Sequence, residues 1–153
     1  MNKLNELAKA IAWHEGWKPG SRAYRNNNPG NLRRSPMEDG HEGSWEQGNR
    51  YAIFRDVARG FTALLYDLQC KATGKTAAWH DADKDGVKDP SEELTPDDTL
   101  AEFFRVYAPA EDANNPASYC AVACRIAGLQ PTDTLASLLE PTMAGHDPAG
   151  GVA

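Results

Sequence analysis

The sequence predicts a mainly helical domain of the α+β type, with about five helices and one small β-hairpin. Three observations carry this prediction. Apolar residues recur at three- and four-residue spacing in several separate stretches, strict alternation is confined to one short stretch, and Gly, Pro and Asn cluster between them.

Leu4, Leu7, Ala8, Ile11 and Ala12 form one helical stripe and Gly16 is a stop signal, so a first helix ends at Glu15. From Trp17 to Glu42 no period is sustained, which predicts a long loop with at most a short turn of helix; ordered loops of that length are usually functional. Gly43 to Phe54 reads as the hairpin, Tyr51 and Ile53 alternating against Ala52 and Phe54 after a Gln47-Gly48-Asn49 turn. Asp56 caps a second helix whose stripe of Val57, Phe61, Leu64, Leu65 and Leu68 marks it as the central core helix, ending near Gly74. Thr95-Pro96-Asp97-Asp98 supplies an N-cap, a proline at the first helical position and first-turn acids for a third helix through Leu100, Phe103, Phe104 and Tyr107, closed by Pro109. Asn115-Pro116 opens a fourth, carrying Tyr119, Val122, Ala123 and Ile126 to Gly128, and Thr132 or Asp133 opens a short fifth through Leu139. Residues 1–140 thus form one domain, and the Gly- and Pro-rich stretch 141–153 is expected to be disordered. No internal repeat is visible.

At 153 residues the chain is long enough to bury about 70% of its unfolded surface without a staple. Its 41% hydrophobic and 25% charged residues are those of an ordinary globular protein. No apolar run approaches the roughly 18 residues of a membrane span, so membrane insertion is not expected. Charges run through the N-terminal stretch where a secretory leader would place its apolar core, so no signal peptide is expected. A net charge of -6 argues against nucleic acid as a partner, the one local basic cluster being Arg22, Arg25, Arg33 and Arg34. Three cysteines, Cys70, Cys120 and Cys124, cannot all pair and lack zinc-type spacing, which predicts small buried apolar residues.

The stretch from Asp81 to Glu92 is the most specific motif in the chain. Asp81, Asp83 and Asp85, then Gly86, then Glu92 match D-x-D-x-D-G with a glutamate at the twelfth position, the pattern of an EF-hand calcium loop. Alternate aspartates converge on one point and the glycine permits the sharp turn. The Val87 carbonyl donates from the backbone, Asp89 sits where a water-mediated ligand is usual, and Glu92 closes bidentately. One Ca2+ ion is therefore expected. With a single loop and three methionines, all outside the helices flanking the loop, the ion is expected to clamp structure between the second and third helices and not to signal.

Glu15 stands at the negative end of the first helix dipole, where a carboxylate is unfavourable by about 0.3 to 1 kcal/mol. With Trp13 and Trp17 as flanking apolar walls, that field would favour the neutral acid, the environment glycoside cleavage needs, although a solvent-exposed helix end with no task would read the same way.

Trp13-His14-Glu15-Gly16 followed by Asn26-Asn27-Asn28-Pro29-Gly30-Asn31-Leu32-Arg33 resembles a lysozyme-like family of phage and bacterial proteins. Tyr51 to Phe54, Gly60 to Leu64, Thr99-Leu100 through Tyr107-Ala108-Pro109, and Asn114-Asn115-Pro116 with Tyr119 and Gly128 continue the resemblance over roughly residues 5 to 130, with the calcium loop as an insertion. It implies a lysozyme-like α+β fold within the goose-type lysozyme and lytic transglycosylase superfamily, and an enzyme cutting the β-1,4 bond between N-acetylmuramic acid and N-acetylglucosamine in peptidoglycan. Glu15 would then be the catalytic general acid, with Asn28, Asn31, Tyr107 and Tyr119 as substrate-binding residues. A hydrolase needs a second carboxylate, for which Glu38, Asp39, Glu42, Glu46 and Asp56 are candidates; a lytic transglycosylase manages with one. His14 and His41 are possible auxiliary groups. With no leader expected, the chain is read as a phage-encoded protein, a monomer, made in the host cytoplasm and acting on the cell wall after release or as part of the virion. A non-catalytic virion or wall-binding module on the same fold is the alternative.

Overall fold

Among the described residues, five α-helices make up most of the regular structure: α1 (Lys3–His14), α2 (Arg22–Arg25), α3 (Val57–Ala72), α4 (Leu100–Tyr107) and α5 (Pro116–Ala127), with 3-10 turns at Pro90–Glu92 and Ala136–Leu139. The structure is a computed structural model and describes residues 2–33, 51–79, 81, 83–109 and 114–141. No helix among them is long and apolar enough to cross a membrane.

Short polar side chains start the helices by accepting from amides that have no partner within the first turn. Asn2 accepts from the Asn5 amide, Asp56 from Arg59, and Asn115 from Ser118. The third long helix, α4, starts at Thr99 with Glu102 in a reciprocal capping box, four residues later than the Thr95-Pro96 signal predicts. The reason is local: Asp98 accepts from the Thr95 amide at 2.7 Å and donates its own amide to the Thr95 carbonyl, closing a separate turn. The expected fifth helix is the 3-10 turn at Ala136–Leu139, because Leu135 and Ala136 donate to Asp98 and Pro96 and draw the segment onto that turn.

Pairing outside the helices is confined to isolated bridges among the described residues. Tyr51–Phe54 pairs with the asparagine-rich loop: Ala52 donates to the Leu32 carbonyl and Phe54 to that of Asn26. The predicted turn at Gln47-Gly48-Asn49 and the strand before it lie outside the described residues, as does the stretch 142–153. Pro141, predicted to begin a disordered tail, bridges Asn2.

Helix α1 packs against both α3 and α5, so it holds the central place that the sequence pattern assigns to α3. Leu4, Leu7, Ala8 and Ile11 bury the predicted stripe, and Ala10, off that stripe, is fully buried as well. Leu64 and Leu68 of α3, Phe103 and Phe104 of α4, Ala123 of α5, and Leu135 and Leu138 complete one core. Cys70, Cys120 and Cys124 are buried, as expected, and all three are free thiols.

Gly60 decides how close α3 comes to the asparagine-rich loop. A β-carbon there would stand 1.8 Å from the Asn27 carbonyl oxygen, so only glycine permits the approach. Glycine to alanine inside an exposed helix ordinarily stabilises by about 1 kcal/mol. We predict the opposite sign here: Gly60→Ala lowers the unfolding free energy by about 2 kcal/mol or more, measured by urea denaturation.

Candidate functional site

Helix α1 ends at its glutamate because the next residue takes the left-handed conformation, Gly16 having φ +69°. Glu15 is the C-cap, its amide still donating to the Ile11 carbonyl while its side chain leaves the helix. Two donors from distant parts of the chain hold the carboxyl. The Tyr119 hydroxyl of α5 donates to Oε1 at 2.8 Å and the Asn31 amide to Oε2 at 3.2 Å. Tyr119 is nearly fully buried, and burial first, then the neighbouring Tyr107 and Glu15, pushes its phenol far up, so it remains a donor. The His14 ring stacks on it at 3.7 Å between centroids, and Phe104 packs at 4.9 Å.

The loop from Asn26 to Arg33 earns its composition residue by residue. Asn27 and Asn31 both have φ +50°, a region asparagine tolerates better than other side chains. Asn28 is fully buried: its Nδ2 donates to the Leu32 and Ala52 carbonyls and its Oδ1 accepts from the Leu32 amide, each at 2.9 Å. A β-carbon on Gly30 would meet Leu64 at 2.7 Å, and the Gly30 carbonyl accepts from the Tyr107 hydroxyl.

Glu15 lies on the wall of a cleft of about 690 Å³ together with Arg22, Asn31, Tyr51, Asp67 and Tyr107. Of the predicted substrate residues, Asn31 and Tyr107 therefore reach the cleft. Asn28 does not, because all of its polar atoms are engaged in holding the loop, and Tyr119 touches the acid from behind. Trp13 and Trp17 do not wall the carboxyl either: they line a separate groove of about 620 Å³ with Val57 and Phe61, and Trp13 is 65% exposed.

Asp56 is set apart from the cleft by its capping role, where the Arg59 amide and guanidinium hold its carboxyl below the usual aspartate value. Glu38, Asp39, His41, Glu42 and Glu46 lie outside the described residues. Asp67 is the cleft carboxylate that sequence reading missed. It is paired with Lys71 one turn along α3, and its Oδ2 is buried without a donor. The spacing of Asp67 and Lys71 is a visible i, i+4 ion pair, but on a helix such pairs ordinarily face water. Here the Lys71 side chain is only 10% exposed.

The acidic loop converges as its spacing predicts. Asp81, Asp83 and Asp85 bring carboxylate oxygens within 4.8 Å of one another, and so do Asp83, Asp89 and Glu92. This arrangement can hold a metal ion. Gly86 has φ +75° and its amide donates to Asp81, while the Val87 amide donates to Asp85 and the Asp89 amide to Glu92. At Asp83 the Asp85 amide pulls the pKa down, but lost hydration and the Asp85, Glu92 and Asp81 carboxylates outweigh it, and the net shift is upward. The loop is not clasped between two helices. Its base is closed by the antiparallel bridge of Trp79 with Glu93 and by the Leu94 amide donating to Ala78.

Asn28→Ala would strand one amide and two carbonyls in the interior. We predict a loss of about 2 to 4 kcal/mol in unfolding free energy, measured by urea denaturation; a cost below about 0.5 kcal/mol would contradict the bracing role.

No protein-family model, curated protein or solved structure matches this chain.

Proposed function

We propose that this chain cleaves the β-1,4 bond between N-acetylmuramic acid and N-acetylglucosamine in peptidoglycan, with Glu15 as general acid, and that the Asp81–Glu92 loop holds one structural calcium ion. The observation that carries the first part is the carboxyl of Glu15 on a cleft wall, gripped by Tyr119 and Asn31. A surface glutamate ending a helix has no need of two convergent donors. A general acid does, since proton transfer depends on its placement within hydrogen-bond reach of the leaving oxygen.

In this reading the protonated Glu15 gives its proton to the glycosidic oxygen as the bond to the anomeric carbon breaks. Positive charge develops on the sugar, and the ionised carboxyl left behind faces it across the cleft. The anomeric carbon is then captured by water, giving a reducing end, or by the sugar's own 6-hydroxyl, giving an anhydro product.

Purified cell walls separate this enzyme from a binding module on the same site. Wild type is expected to clear their turbidity, and Glu15→Gln to be slower by about 10² to 10⁴, the usual share of a general acid. Walls bound but left uncut by wild type would favour the module. Mass spectrometry of released fragments distinguishes reducing from anhydro ends.

Calcium suits the loop because it takes six to eight oxygens in a flexible shell, and five carboxylates here crowd together with a raised Asp83. Asp81, Asp83, Asp85, Asp89 and Glu92 would hold it, with the Val87 carbonyl, and the ion would offset their mutual repulsion. Chelation with EGTA is expected to lower the melting temperature, calcium at a hundredfold over its Kd adding about 2.7 kcal/mol. Glu92→Gln should remove most of that difference, and an EGTA-insensitive melting curve would count against the ion.

A further inference from the structure

One cation on the cleft wall, Arg22, has no acceptor among the described residues. Arg22, the first residue of α2, lies with its guanidinium carbon 4.3 Å from the centre of the Tyr51 ring, and both residues line the cleft of Glu15. Stacking on an aromatic face orients the guanidinium plane and leaves its N–H edges available. No carboxylate or carbonyl among the described residues accepts from it. The other cations of the cleft are Lys71, answered by Asp67, and Arg33, which bridges Tyr51 through its backbone. In a chain of net charge -6, a cleft lined by Arg22, Arg33 and Lys71 against Glu15 and Asp67 is locally positive, which attracts acids.

We propose that Arg22, stacked on Tyr51 at the cleft of Glu15, binds a carboxylate of the glycan strand and so selects the anionic wall polymer over neutral β-1,4 glycans. The inference rests on the peptidoglycan reading of the cleft and adds the chemical group that is recognised there. A guanidinium edge presents two parallel donors at the spacing of carboxylate oxygens, which a hydroxyl or an acetamido group cannot match. Two sources offer that anion: the lactyl acid of a muramic residue without its peptide, and the acids of the stem peptide.

Binding in the absence of turnover tests this directly. Glu15→Gln protein, and the same protein with Arg22→Gln added, are titrated calorimetrically with peptide-free glycan strands, with peptide-bearing strands, and with chitohexaose as the neutral probe. Loss of Arg22 is expected to weaken at least one anionic probe by about tenfold, the scale of one charge-assisted pair, and to leave chitohexaose within about twofold. The probe that suffers identifies which carboxylate is read. Unchanged binding of both anionic probes, or an equal loss on chitohexaose, overturns the role of Arg22 and leaves the cleft reading standing. Failure of the Glu15→Gln protein to bind any of the three overturns both. Matching melting curves for the two proteins show that exposed Arg22 carries no folding role; a large drop on its loss would assign it to structure and reject the proposal.

Discussion

The hydrogen bonds of one buried amide, Asn28, hold the loop on which the cleft is built. Its two donors and one acceptor tie Leu32 and Ala52 to the loop, adding a buried side-chain link to the backbone bonds that join the segments on either side of residues 34–50. Each such bond contributes about 1 kcal/mol net, but leaving any of the three buried partners unmet costs more than that. Around this tie, Gly60 brings α3 against Asn27, Tyr107 binds the Gly30 carbonyl, and Asn31 is turned toward Glu15. The acid is thus positioned by a loop that is itself positioned from three directions.

Much of this was legible in the sequence, and the parts that were not share a physical cause. Periodicity located α1, α3 and α5 because their cores are built from apolar stripes that recur at helical spacing. The start of α4 was misplaced because Thr95-Pro96-Asp97-Asp98 and Thr99 with Glu102 are both valid capping strings, and only the tertiary bond from Leu135 to Asp98 decides between them. The central role of α1 was hidden by Ala10, whose small side chain is silent in a hydrophobic pattern but allows a second buried face. Asn28 was assigned to the cleft because an asparagine string reads alike whether its amides face a ligand or the interior.

The same limit explains Asp67. An acid four residues before a lysine is the commonest solvated pair on a helix, and nothing local says that this one lines a cleft. Nor does local sequence reveal that the connection from α3 to the acidic loop forms part of that wall, through Thr76 to Ala78, and is stapled to the far side of the loop by Leu94. The acids that could hold a metal ion and the cleft thus adjoin along one short stretch of backbone. An ion bound in the loop would brace the wall without touching any group near Glu15.

The grip of Tyr119 on Glu15 spans 104 residues of chain. During synthesis the glutamate emerges 104 residues ahead of its tyrosine, which arrives only when α5 has left the ribosome and found its place beside α1. A truncated or half-folded product therefore carries the acid without its geometry. The placement of the carboxyl is withheld until α5 docks, which ties the geometry of the cleft to completion of the fold.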